Sequence, residues 1–266
     1  MKVFISADLE GVAGIAAWDE TDKGSSVYPY FAEQMTKEVI GVCTGANLAG
    51  AKEIVVKDAH ETGRNIDPRQ LPENVKLIRG WTGHPFAMVQ GLDESFDAVA
   101  FIGYHSGGGT NANPLAHTMN SSSINYVKLN GEILSEFRLH AYIAAYLGVP
   151  VALLSGDQGI CAEAKKLNAN IATVATFEGL GSATKSIHPK RAAELIKAGM
   201  QEVLIGDLSL NKIDLPEKFS LEISYNFHGH AYSKSFYPGA KQISPKSITF
   251  ETNDYFEIVR AISFLI

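Results

Sequence analysis

Lys2-Val3-Phe4-Ile5-Ser6-Ala7-Asp8-Leu9-Glu10-Gly11-Val12-Ala13-Gly14 opens the chain with β-formers that give way to two carboxylates and two glycines. A short apolar run bounded by glycine reads as a buried strand ending in a turn. Asp8 and Glu10 stand two apart where the strand gives out, so in extended backbone they point the same way, about 6.5–7 Å apart. Two carboxylates aimed at one point repel, and burying them costs several kcal/mol unless a cation takes up the charge. The plainer reading is a polar strand end with Asp8 capping the turn. Groups elsewhere in the chain decide between the two.

Outward from this stretch, strand and helix signals alternate. Tyr28 to Ala49 carries Phe31, Met35, Val39, Val42 and Ala46 at helical spacing, with Gly50 as the stop. Further strands are expected at Glu53–Lys57, Val75–Arg79, Ala98–Ile102, Val151–Leu154 and Ile171–Thr176, and helices at 85–92, 135–147 and 189–204. Asn130-Gly131 between apolar segments is a hairpin signal. The alternation predicts an α/β fold with a mostly parallel sheet flanked by helices on both faces. After a connection over 208–218 the pattern changes to strand, helical start, strand and closing helix. The expected division is therefore an α/β domain at 1–207 and a small α+β C-terminal subdomain at 219–266.

A chain of 266 residues suffices for one large domain with a small appendage. The net charge of −6, with no Lys/Arg run, argues against a nucleic-acid binder. No stretch approaches a membrane span. Cys43 and Cys161 match no metal or redox spacing, so reduced thiols in a cytoplasmic setting are expected.

In open α/β sheets, sites form beyond the carboxyl ends of the strands. Four expected strands deliver metal-capable groups at that edge: Asp8 and Glu10, Asp58 and His60, His105, and Asp157. His117 follows across a glycine loop, and Glu136 opens a helix. Each has an ordinary explanation as a loop histidine, turn cap or helix-end charge; their recurrence at one edge favours a metal site. Mixed carboxylate and imidazole ligands suit zinc, with manganese or cobalt as substitutes. So many groups favour two ions sharing a carboxylate, for which Asp8 is placed between the others. Such a pair performs hydrolysis.

The segments Ser6–Gly14, Lys57–His60, Gly83–Asp93, Phe101–His105, Ala116–Met119 and Ser135–Tyr142 together resemble the D-aminopeptidase family of bacterial dipeptide-transport operons, peptidase family M55. The matches run in order over about residues 1–160 and weaken in the tail. The resemblance implies a co-catalytic dizinc aminopeptidase that removes N-terminal D-residues, such as D-alanine, from short peptides. It implies one zinc on Asp8, Glu10 and His60 and the other on Asp8, His105 and Glu136, with the aspartate bridging. It implies that His117 is catalytic, a nucleophile, and that the chain forms stacked five-membered rings. Physically, a dimetal site already supplies hydroxide, so an imidazole there serves better as general acid or oxyanion partner.

Asp58 is expected to orient His60 or a metal-bound water. The segment between His105 and His117 is richer in glycine than the family pattern and is expected to line the pocket. Arg138 and His140 stand where smaller or neutral residues are expected. His228 and His230 are read as an oligomer or pocket contact. Alternatives kept open are a metal-dependent amidase or phosphoesterase acting on another small substrate, and a metal- or peptide-binding scaffold without turnover.

Overall fold

The opening run forms β1 (Lys2–Ala7), in the interior of a seven-stranded sheet, in a computed structural model that describes all 266 residues. The chain continues through α1 (Tyr28–Leu48), β2 (Glu53–Asp58), β3 (Val75–Ile78), β4 (Ala98–Tyr104), β5 (Ile124–Leu129), β6 (Glu132–Ile133), α2 (Glu136–Tyr146) and β7 (Val151–Asp157). Next come α3 (Gln158–Leu167), β8 (Ala172–Leu180), β9 (Ala183–Ser186) and α4 (Pro189–Ile205). The tail holds β10 (Phe219–Tyr225), α5 (His228–Lys234), β11 (Lys241–Gln242), β12 (Ser247–Thr252) and α6 (Tyr255–Leu265).

The large sheet has the order β3-β2-β1-β4-β7-β8-β9 and is parallel except for the β8–β9 hairpin. Alternation along β1 divides its side chains between two cores. Val3, Ile5 and Ala7 join Met35 and Val42 of α1 and Ile196 and Met200 of α4 on one face. Phe4 joins Phe101, Phe137 of α2 and Ile160 of α3 on the other. The α/β expectation, with a mostly parallel sheet under helices on both faces, is met. No helix is long and apolar enough to cross a membrane.

Two local expectations change. The second sheet, β11-β12-β10-β5-β6, is antiparallel and is not confined to the tail. β10 pairs with β5 in the register Leu221↔Leu129 and Ile223↔Val127, so the unit expected at 219–266 borrows two strands from within 1–207. Tail and body also share one apolar core, and the Tyr255 hydroxyl donates to the Leu139 carbonyl of α2 at 2.6 Å. The helix expected at 85–92 shrinks to a single 3-10 turn, Ala87–Val89. Its peptide groups are committed elsewhere: Ser6 Oγ donates to the Met88 carbonyl, and Met88 N–H donates to His140 Nε2.

Glu38 of α1 is buried beneath the turn after β1, where Oε1 accepts the Ala13 N–H at 3.0 Å and Oε2 has no partner. Burial pushes its carboxyl from 4.5 up to about 8. The folded chain therefore keeps a proton that the unfolded chain releases above its ordinary value. Stability is undiminished below about pH 4.5 and is lost progressively as pH rises to 8. Glu38→Gln should thus change little in acid and stabilise by about 2 kcal/mol at pH 8.5, read by urea unfolding at both pH values.

Candidate metal centre

The chain builds β1, β2 and β3 outward in one direction and then places β4 on the other side of β1, so the crossovers diverge above these strand ends. A doubly wound sheet opens a crevice at such a point. Asp8 and Glu10 follow β1, Asp58 ends β2 with His60 just beyond, and His105 follows β4. The 8–11 turn lies directly on the end of β4. Asp8 N–H donates to the Ile102 carbonyl and Gly11 N–H to the Gly103 carbonyl, both at 2.8 Å. A Cβ on Gly11 would collide with the Tyr104 carbonyl, and one on Gly103, at φ +69°, with the Asp8 carbonyl. Glycine at both positions permits this approach.

Three imidazoles enter the crevice, each tethered through one nitrogen to a peptide oxygen. His60 Nε2 donates to the Thr21 carbonyl (2.9 Å), His105 Nδ1 to that of Ser106 (3.0 Å) and His117 Nδ1 to that of Leu115 (2.9 Å). Because a carbonyl only accepts, the proton on each tethered nitrogen is assigned, and the second nitrogen faces carboxylates. His60 Nδ1 lies 3.3 Å from Asp8 Oδ1 and 3.0 Å from Glu10 Oε2. His105 Nε2 is 3.6 Å from both Asp8 Oδ2 and Glu136 Oε2, and His117 Nε2 is 3.6 Å from Glu136 Oε1. Potential ligand atoms of Asp8, Glu10 and His60 lie within 4.8 Å of one another, as do those of His105, His117 and Glu136.

Asp8 Oδ2, Glu10 Oε2 and His105 Nε2 are buried and lack any hydrogen-bond partner. Orphaned polar atoms converging in this way are an arrangement that a protein interior avoids unless something sits among them. Separations of 3.0–3.6 Å between donors match the edge of a tetrahedron of donors, about 3.3 Å, around an ion with ~2.0–2.1 Å bonds. Without a cation, protons must do its work. Burial and the Glu10 charge push Asp8 up to about 8. Burial also opposes ionisation of Glu10 and Glu136, yet His60 holds the first well below its usual value and His105 holds the second near 2. Against its own burial, His105 is raised to about 10 by Glu136. Divalent metal in place of these protons would satisfy the groups, and the carboxylate–imidazole donor set fits it.

Neighbouring groups support the cluster. Asp58, expected to orient His60 or a metal-bound water, reaches the His60 main chain through Asn65 and not the ring itself. Its carboxylate accepts from Asn65 N–H, Asn65 Nδ2 and Ile66 N–H, and Asn65 Nδ2 in turn holds the His60 carbonyl at 2.7 Å. It orders the loop, while the Thr21 carbonyl aims the ring. Asp157 caps α3 and accepts from Ser106 N–H and Oγ and from Asn113 Nδ2, clamping the segment between His105 and His117. None of residues 106–116 lines the cavity, contrary to expectation; on this side its lining begins at His117 and continues with Met119, Asn120 and Ser121. His140 is buried and held near 4 by that burial; it donates from Nδ1 to the Glu136 carbonyl and accepts the Met88 N–H. Arg138 pairs with Glu163 at 2.8 Å, away from the cluster. His228 and His230 are exposed at the start of α5.

The cavity, about 390 Å³, also brings in Trp18 and Trp81, which pattern reading passed over. Trp18 packs edge-on against His117 with ring centroids 5.2 Å apart, and His117 stacks on His105 at 4.3 Å. The available signal was that the chain's only two tryptophans both sit in polar, glycine-bearing loops.

An α/β sheet with a buried carboxylate–imidazole cluster at its carboxyl edge defines a metallohydrolase. The family model for Peptidase_M55, D-aminopeptidase, matches residues 1–264, and the chain belongs to this family of metallo-aminopeptidases. It is 28% identical over 264 residues to a D-aminopeptidase of Bacillus subtilis (strain 168), covering 98% of this chain and 95% of that one. It also superposes on the structure of the Zn-dependent D-aminopeptidase DppA from Bacillus subtilis, described as a self-compartmentalizing protease, with a TM-score of 0.90 and 28% identity. That match covers 100% of this chain and 96% of the other.

Gly11→Ala should destabilise the fold by about 2–4 kcal/mol and lower the divalent metal retained per chain. Thermal melting and elemental analysis of the purified variant measure the two effects; a variant with wild-type melting and full metal content would contradict the close approach.

Proposed function

We propose that this chain is a zinc-dependent aminopeptidase that removes N-terminal D-residues of the D-alanine type from short peptides or amides, using two metal ions. The observation that carries this reading is Asp8, whose two oxygens face different histidines: Oδ1 toward His60 and Oδ2 toward His105. One ion would rest on Asp8, Glu10 and His60, and the other on Asp8, His105 and Glu136. When bound, the pair supplies an ionised water at neutral pH and polarises the scissile carbonyl.

The remaining work falls to this chain's side chains. His117 keeps Nδ1–H on the Leu115 carbonyl, so Nε2 is the nitrogen free to carry a proton. His105 and Trp18 hold its ring in one plane. It takes up the proton that the attacking water gives up and delivers it to the departing amine, which would otherwise leave as a poor anion. The reading also extends to assembly: following the self-compartmentalizing relative, the chain forms a closed homo-oligomer that admits only short peptides.

Hydrolysis of D-Ala-p-nitroanilide and its L-counterpart by metal-stripped and zinc-reloaded protein tests the proposal. D-selective release that needs the metal is expected. Asp8→Asn should lose bound zinc together with activity. His117→Ala should keep its zinc and lose about 10²–10⁴-fold in kcat. Release from the L-substrate alone would discard the stereochemistry, and no release with two metals bound would discard the peptidase reading. Sedimentation should give a mass several times the 28.7 kDa chain; a monomer would end the assembly proposal.

A further inference from the structure

Five carboxylates and no lysine or arginine line the catalytic cavity. Asp8, Glu10 and Glu136 face the histidines, and Asp22 Oδ1 accepts the Gly24 N–H at 2.8 Å. Glu61 is different, because no hydrogen-bond donor and no cation of the chain meets its carboxylate; only its main-chain oxygen is engaged. Its backbone is also unusual. Glu61 adopts φ +41°, a conformation that side-chain-bearing residues seldom take. It lies in the turn closed by Gly63 N–H donating to the His60 carbonyl at 2.7 Å, and Trp81 Nε1 donates to the Glu61 carbonyl, also at 2.7 Å. Trp81 is held in turn by buried Lys57, whose ammonium lies 4.0 Å from its ring centroid and donates to the Gly80 carbonyl at 3.0 Å. Trp81 and, behind it, Lys57 thus fix the main chain at Glu61, whose exposed carboxylate has no partner within the chain, in a cavity lined by no lysine or arginine. Strained residues persist where the surroundings over-determine them, and such positions cluster at sites that act on ligands.

An aminopeptidase must recognise the free α-ammonium of its substrate, and a carboxylate without a partner of its own is the acceptor that suits it. We infer that Glu61 anchors the α-ammonium group of the substrate, with Trp81 as the wall behind it; this rests on the aminopeptidase reading above. The anchor makes a free amino terminus the condition for productive binding and discriminates against substrates blocked or neutral at that nitrogen.

Trp18 and Trp81 both line the cavity, so tryptophan fluorescence reports occupancy without turnover. Zinc-loaded protein is titrated with D-alaninol and with 1-propanol, which lacks the amino group; neither carries a bond the enzyme could hydrolyse. Wild type should prefer the amine about tenfold to hundredfold. Glu61→Gln should erase most of that preference and raise KM for D-Ala-p-nitroanilide by about tenfold, with kcat changed by no more than about threefold. Glu61→Asp should recover part of the loss. Wild-type zinc content and melting in both variants would separate anchoring from a structural role. An unchanged amine preference in Glu61→Gln overturns the anchor even if hydrolysis is normal. A Glu61-dependent preference in protein that hydrolyses no peptide sustains the anchor and discards the peptidase reading. A loss of affinity that is equal for ligands with and without the amino group also overturns it.

Discussion

Three carboxylates, Asp8, Glu10 and Glu136, are each no more than 4% exposed at the carboxyl edge of one sheet, and no lysine or arginine pairs with any of them. In a medium of low dielectric their mutual repulsion and lost hydration oppose folding. The other features of the crevice answer that constraint. The only positive partners supplied are imidazoles, which exchange a proton for a metal ion without rearrangement. A guanidinium in the same place would neutralise the carboxylates permanently and close the position to a metal.

The crevice is held open by main-chain groups. Each histidine spends one nitrogen on a peptide oxygen, of Thr21, Ser106 or Leu115, so its other nitrogen has one direction left to face. The carboxylates are placed by the turn whose Gly11 and Gly103 let two segments touch. Asp157 and Asp58, both at strand ends, complete the frame by capping loops. Such supports cost little side-chain entropy when a ligand arrives, which is how a preorganised site keeps its geometry.

The parallel sheet was legible because β1, β2, β4 and β7 are apolar runs stopped by glycine or acid, and the metal-capable groups were legible because they recur where those runs end. Long-range partners were not. Nothing local in residues 219–266 tells that Leu221 and Ile223 pair with Leu129 and Val127, since each strand shows only its own alternation. The 85–92 segment has helical composition, yet Ser6 and His140, distant in sequence, take the Met88 peptide groups. Asp58 shows the same limit. Its proximity to His60 in sequence suggests an orienting role, but it acts through Asn65 on the His60 main chain, whereas the ring's partner is a main-chain oxygen of Thr21, which has no side-chain signature. Trp18 and Trp81 escaped because period-based reading weighs runs, and these are isolated aromatics in loops.

Asp8 ties the halves of the site together. The group with Glu10 and His60 is built from the ends of β1 and β2, and the group with His105, His117 and Glu136 from the end of β4 and the start of α2. Thr21, Asn65 and Asp58 support the first, and Ser106, Asp157 and the His140 contact the second, with Asn113 Nδ2 reaching both the Asp157 carboxylate and the Glu10 carbonyl. Asp8 alone presents an oxygen to each. Removing Glu10 or His60 subtracts a donor from one group, whereas removing the Asp8 carboxylate subtracts from both and uncouples them. The hydrogen bond from Asp8 N–H to the Ile102 carbonyl and the contact of its own carbonyl with Gly103 therefore set the spacing between the two halves. The separation of the two donor groups follows from how closely β1 and β4 approach, a property of the sheet and its glycines more than of any one side chain.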